Sequence, residues 1–577
     1  MHPLNAILSF AALVTLSAAG ADVVRVSDFG YDEADSTRFL QAAIDSGAKK
    51  VVIDARRWVT QPLVCRSGQE LFFEDGAVVE AKKGAFLDRR KDQMFNVRSC
   101  TNVVIGGKGE IRMHHDDYLK PPYEKSEFRH CISVNNSANV RIWGLRILDS
   151  GGDGIYLGGK SSAPGVHDGG CHDITLQDLH IEGHMRQGMS VTFCDGLTVE
   201  RCSFLNTHGT PPAAGIDFEP NGGYNRIRRI VLRDCVIGGN AGQGVSISIG
   251  HIWPETLPTY DITFERCRFD RDGVGGGGKK GRLVFRDCIF ENPDVMPLGI
   301  YGGPFDPPDC TVEGCILREN GKDTPMDRAW LRRYATLLSG EEDVLSKPVA
   351  VDCGKLTVAD PEPGKMRRFF GRLGVRLRIS GRLVAYADSP RRIELRGDRP
   401  IAKRNGRWKG KRMTVTVSRF GGDTMFERDL PEDGIIAFDA PERGLYQIAF
   451  DLVRATLPIH AANCPVALDL TQCEHPLVQT SGTFAFWVPD GTERFEMFVG
   501  GSGRECVKAT LTDPDGKAVW SEGCISAWCG HLQRGKAKPG LWRISLGRPE
   551  RGPFEDYGVS LSGVPAFLFP DAERWWR

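Results

Sequence analysis

An all-β chain is predicted: a right-handed parallel β-helix followed by C-terminal β-sandwich-type domains. Three features predict it. Short strand-like segments, each opened by Gly or a small residue, begin at Cys131, Gly154, Gly188, Gly215 and Gly244, so the intervals are 23, 34, 27 and 29 residues. Between them run second strands of one kind, NVRIWGLRI, DITLQDLHI, GLTVERCSF, RIVLRDCVI, DITFERCRF and RLVFRDCIF, in which apolar and polar residues alternate with period two. No helical pattern separates them. A repeat of this length built from several short strands fits a coil of parallel sheets. Leucine-rich repeats would need a Leu-x-x-Leu-x-Leu frame, and propellers a longer period.

The elements follow in chain order. Residues 1–21 read as a targeting segment, with an apolar run from Ile7 to Ala18 and small residues Ala19-Gly20-Ala21 before Asp22. No later stretch reaches the 18 or so apolar residues that span a bilayer, so an exported protein without a membrane partner is expected. Asp35 or Ser36 is a natural N-cap for a helix with Phe39, Leu40, Ala43 and Ile44 on one face, suited to cover the first rung of the coil. The coil is expected over residues 22–325. Beyond it, Asp327–Leu338 reads as a short helix. A β-rich middle domain is expected over 326–455 and a C-terminal β-sandwich over 456–577, either a carbohydrate-binding module or an inert packing domain.

The 577 residues are too many for one compact core. Lys plus Arg equals Asp plus Glu at 74 each, so no global field favours nucleic acid or an anionic membrane. Ten of the 17 cysteines fall into two groups. Cys202, Cys235, Cys267, Cys288 and Cys315 recur at one position of the repeat, in VERCSF, LRDCVI, FERCRF, FRDCIF and VEGCIL, which predicts a buried ladder of free thiols. Cys464, Cys473, Cys506, Cys524 and Cys529 lie in the C-terminal region, where export makes disulfides reasonable.

When the first strands of successive coils stack, their outward third and fifth positions are Ser133 and Asn135, Tyr156 and Gly158, Ser190 and Thr192, Asp217 and Glu219, and Ser246 and Ser248. One rung thus presents two carboxylates on one face, flanked by hydroxyl residues, as the floor of a groove. Clustered carboxylates repel, which raises the proton affinity of one and sets an acid beside a base. Asp153 precedes the strand two rungs away and is expected to join Asp217 and Glu219 as a catalytic candidate. His208, in the loop Asn206–Ala214, is expected near the carboxylate rung. Arg186, Gln187, Gln243, Tyr156, Ser190 and His130 complete the substrate-binding candidates. Each has a plainer reading: a polar loop residue for His208, a turn pair for Arg186 and Gln187, and a solvated face or cation-binding spot for the carboxylates.

The segments VSDFG, DSTRFLQAAID and VVID, then RHCISVNNSANVRIWGLRILDSGGDGIYLGG, RQGMSV and GTPPAAGIDFEPN, resemble the pectin-lyase-like superfamily and its polygalacturonase-related bacterial members, over about residues 22–320. Polygalacturonases carry Asn-Thr-Asp, Asp-Asp and Gly-His-Gly strands. Asp153 resembles the first aspartate. Arg186-Gln187 stands at the Asp-Asp position, and Gly242-Gln243-Gly244 carries Gln where that family has His. The resemblance therefore implies the fold and a carbohydrate-directed activity on a linkage other than that of pectin. Three functions are expected in descending order. The first is a glycoside hydrolase working by carboxylate acid/base catalysis without a cofactor. The second is a polysaccharide lyase holding Ca²⁺ on the acidic cluster, with Arg186 or His208 as base. The third is a noncatalytic glycan-binding protein.

Overall fold

The computed structural model describes residues 22–577 apart from 89–91, 161–168, 250–259, 278–280, 295, 302–308, 327–348, 350, 353–354, 371–373, 402–411, 472–474, 502–504 and 527–528. The expected targeting segment, the expected helix at 327–338 and Cys473 lie outside the described residues.

Three long sheets, of nine, eleven and eleven strands among the described residues, wind around one core with their strands in consecutive order. The nine-stranded sheet carries Ile132–Asn135 (β1), Asp153–Gly158 (β2), Gln187–Val191 (β3), Ala214–Phe218 (β4) and Val245–Ser248 (β5) side by side and parallel. Register is set by burial. Ile132, Ile155, Met189, Ile216 and Val245 stack rung upon rung in the core, and a slip of one residue would turn the whole row outward. On the opposite face the same register aligns Ser133, Tyr156, Ser190, Asp217 and Ser246. The repeat read from sequence is the repeat of the coil.

Like side chains stack along the axis. Phe264 lies on Phe285 and Phe269 on Phe290, with ring centroids 5.1 and 4.5 Å apart and planes 5° from parallel. The residue before each ladder cysteine is left-handed, with φ of 50° at Arg201, 53° at Asp234, 50° at Arg266 and 52° at Asp287. This conformation is uncommon outside glycine, and the strained corners are also linked by charge. Arg201 pairs with Asp178 one rung away at 2.7 Å, and Arg266 pairs with Asp234 at 2.8 Å.

Cys202, Cys235, Cys267, Cys288 and Cys315 follow these corners, all buried as free thiols. Their sulfurs are spent on backbone carbonyls, as Cys267 Sγ is on Leu232 O and Glu265 O at 3.5 Å each. The Cys202 thiol, assisted by burial, pushes Cys235 up to about 12. The thiolate is the nucleophile, so these five are expected to resist a disulfide reagent in the native protein and to react once it is denatured. Rapid labelling of the folded protein at these positions, read by peptide mass spectrometry, would contradict the ladder.

A helix, Thr37–Asp45 (α1), follows Ser36 and buries Leu40, Ala43 and Ile44 against the first strands of the coil. At the far end Ile316–Glu319 (β6) is joined by Lys322–Pro325 (β7), which runs antiparallel to it.

The remaining strands are antiparallel and form a thirteen-stranded, a four-stranded and a two-stranded sheet among the described residues. The boundary expected at 455/456 does not divide them. Gly444–Ala462 (β8) runs across it and pairs with Val375–Ala387, Arg391–Gly397 and Thr414–Arg419, and one apolar cluster joins residues from both sides. A polar linker would be needed to separate two cores there, and β8 carries Ala455, Leu457 and Ile459 into a shared one. In the C-terminal region Cys506 Sγ and Cys524 Sγ lie 3.1 Å apart. Met296 N–H donates to Ser526 Oγ at 3.0 Å, which ties the coil to this region.

Candidate active site

Arg186 immediately precedes β3, and its guanidinium gathers the acidic candidates. Nη1 reaches both oxygens of Asp153, at 3.4 and 3.5 Å, and Ser190 Oγ at 3.3 Å. Nη2 reaches Glu219 Oε2 at 3.3 Å, and Nε lies 3.8 Å from Glu127 Oε2. The side chain is 16% exposed. Burial works against its charge, but Asp153, Asp217, Glu127 and Glu219 together hold its pKa above the ordinary arginine value.

Asp217 lies at the centre of β4 and is 1% exposed. Its Oδ2 accepts a hydrogen bond from Gln187 Nε2 at 3.0 Å, and the Ser246 hydroxyl, its register partner on β5, acts on the same carboxyl. The Gln187 amide is oriented by Ala214 N–H, which donates to its Oε1 at 2.9 Å and so leaves the NH₂ for Asp217. Burial, then the charge of Glu219, push Asp217 up to about 7, against the pull of Arg186. A carboxyl that keeps its proton near neutrality stands two residues from one that is paired with an arginine.

The expected open groove floor is corrected by burial. Every residue of β4 is buried and Asp153 is 0% exposed, whereas the Glu219 side chain is 40% exposed. The acidic rung is thus reached from solvent through Glu219 and Arg186, with Asp217 and Asp153 behind them.

His130 stacks on Tyr156 at 5.2 Å with planes 13° apart. Its Nδ1 accepts the Asp153 backbone N–H at 3.0 Å and lies 3.4 Å from Asp153 Oδ2. Burial lowers the His130 pKa although Asp153 opposes it, so the ring is neutral at pH 7 and acts as an acceptor. Tyr156 Oη is hydrogen-bonded to Thr192 Oγ1 at 2.9 Å. Gln243 lies before β5 over Gly275, where a Cβ would come within 2.0 Å of Gln243 Oε1. Its carbonyl accepts Gly215 N–H at 3.2 Å.

His208 sits on the turn before Arg186, its N–H donating to His184 O at 2.9 Å. It is exposed, its ring lies 4.4 Å from that of His115, its carbonyl meets His115 Nε2 at 2.9 Å, and Asp116 Oδ1 meets His115 Nδ1 at 2.9 Å. No described contact joins it to Asp217, Glu219 or Asp153. The contribution that the sequence reading missed is Glu127, in the insertion before β1. That segment is pinned by buried Arg129, which donates to Phe86 O at 2.9 Å, lies 3.6 Å from Asp92 Oδ2 and packs over Tyr118 and Tyr123. Burial raises Asp92 to about 6, Arg129 opposing. The only signal for Glu127 was an acid close to Arg129-His130, in a stretch without periodicity.

A family model described as right-handed beta helix region matches residues 129–317, the stretch that carries β1 to β6. The described strands of this stretch form the parallel β-helix that the family model describes. An uncharacterized protein of Bacillus subtilis (strain 168), YclG, is 24% identical to it over 242 residues, 39% of each chain, so the match spans about two fifths of that relative's length. Among solved structures, this β-helix is similar to the Family 28 exopolygalacturonase of Yersinia enterocolitica, at 12% identity over 53% of this chain and 79% of that one, with a TM-score of 0.29. It is also similar to the endo-xylogalacturonan hydrolase of Aspergillus tubingensis, at 11% identity over 52% and 93%, with a TM-score of 0.35.

Proposed function

We propose that this protein is an exported carbohydrate-active enzyme, a glycoside hydrolase in which Asp217 and Glu219 work as a pair. The observation that carries the reading is their contrast in surroundings: Asp217 buried and protonated up to about pH 7, Glu219 part-exposed against Arg186. Asp217 donates its proton to the leaving glycosidic oxygen. Glu219 serves as base toward water or as nucleophile toward the sugar. Asp153, fixed between Arg186 and His130, stabilises positive charge that develops on the ring. The solved hydrolases of similar fold act on polysaccharides by their names, which agrees with a glycan substrate. The lyase alternative is less well supported. Arg186 is surrounded by carboxylates that hold its proton, the opposite of what a base requires, and His208 is seated against His115.

Digestion of a glycan library by the exported protein tests the reading. New reducing ends without a rise in absorbance near 235 nm are expected. Rising absorbance abolished by chelator would select the lyase, and binding without products the third function. A pH profile adds a sharper check. The acid must be protonated to act, so kcat/KM should fall as pH rises through about 7, the value to which burial and Glu219 raise Asp217. A profile flat from pH 6 to 8.5 would remove Asp217 as the acid.

A further inference from the structure

We infer that the glycan bound at this site is uncharged at the sugars flanking the scissile bond, and is neither a polyuronate nor a sulfated polymer. The inference rests on the hydrolase reading above and assigns its substrate class from charge. Four carboxyl groups, Glu127, Asp153, Asp217 and Glu219, surround one guanidinium. One guanidinium is thus shared among four acidic side chains. Among the described residues no ion pair links any of the four to a second arginine or to a lysine. His130 adds no cation, because burial keeps it neutral at pH 7.

Arg186 is also the cation that a uronate or sulfate would need, and each of its three nitrogens already faces a carboxylate. Nη1 faces Asp153 and Ser190, Nη2 faces Glu219 and Nε faces Glu127. An anionic sugar would have to displace a carboxylate from it or sit beside the acidic rung without a partner. Two like unit charges about 6 Å apart at an effective dielectric of about 20 repel enough to weaken binding about a hundredfold. The rest of the row is built for hydroxyls. Ser133, Tyr156, Ser190 and Ser246 line up with Asp217, and Thr192 Oγ1 joins Tyr156 Oη.

The full chain and Asp217→Asn should be assayed on two panels. One holds neutral polysaccharides (glucans, mannans, xylans, galactans), and the other holds polygalacturonate, alginate and sulfated galactans together with carboxyl-reduced polygalacturonate as a matched control. Cleavage of a neutral polymer with kcat/KM at least about a hundredfold above that of any acidic one, lost in Asp217→Asn, is the expected result. Comparable or faster cleavage of an acidic polymer, also lost in Asp217→Asn, would overturn the substrate assignment and leave the hydrolase reading standing. Products that persist undiminished in a folded Asp217→Asn protein, or no product from either panel, would overturn both.

Discussion

Asp217→Asn should lower kcat by about a hundredfold or more, and Glu219→Gln by a similar factor, with the coil intact in both. The amide is isosteric with the acid and its oxygen can still accept from Gln187 Nε2, so what is removed is the transferable proton. Stability gives an independent reading of the same substitution. The folded pKa of Asp217 is raised above the ordinary 3.8, so its contribution is fully present below that value and is lost as pH rises through about 7. Asn never carries the charge. The variant should therefore match or exceed the wild type in urea denaturation at pH 8, while being inactive. Wild-type activity in a folded Asp217→Asn protein would take the residue out of the mechanism and shift attention to Asp153 and the His114–Asp117 loop.

Arg186→Met should cost about 3–5 kcal/mol of stability at pH 7, the range seen when one partner of a buried ion pair is removed. The methionine fills much of the same volume, and Asp153, Asp217 and Glu219 lose the one cation that touches or acts on all three. The loss should shrink on going to pH 5. Arg186 opposes the rise of Asp217, so without it that carboxyl rises further above its unfolded value, and acid neutralises it. Arg186→Lys keeps the charge but not the fork, and should fall between the two. Urea titrations at both pH values decide the matter. An Arg186→Met protein equally stable at pH 5 and pH 7 would show that these carboxylates do not depend on it.

Much of this architecture was legible because the coil repeats its physical problem at every turn. Each rung must bury one residue in two, so Ile155, Met189, Ile216 and Val245 announce both the strands and their register. The ladder cysteines were legible for the same reason, since each follows a left-handed corner of one type. The site was legible only where it rides on that register. Asp217 and Glu219 follow from strand alternation, and the place of Asp153 one strand before Gln187 follows from stacking. What the period does not govern could not be read. Glu127 comes from an insertion, Arg186 was ambiguous between a turn and a ligand, and His208 was placed by nearness in sequence although its loop turns toward His115. Burial of the face was also hidden, because period two says which residues share a side and not what covers it. The boundary at 455/456 falls inside β8, whose apolar residues read alike whether they end one core or continue a shared one.

A strand that turns back on the last rung ends more than the coil. The outer edge of β6 would otherwise offer unpaired N–H and C=O groups to a strand of another molecule, the template from which filaments grow. Instead β7 occupies that edge, running the opposite way and with all four of its residues exposed to water, and Arg318 clamps Asp323 at 2.7 Å. At the other end α1 lies against the opening strands. The sheet's terminal edge is therefore carried by β7, where exposed Lys322, Asp323 and Pro325 put charge and a missing N–H in the path of any further strand.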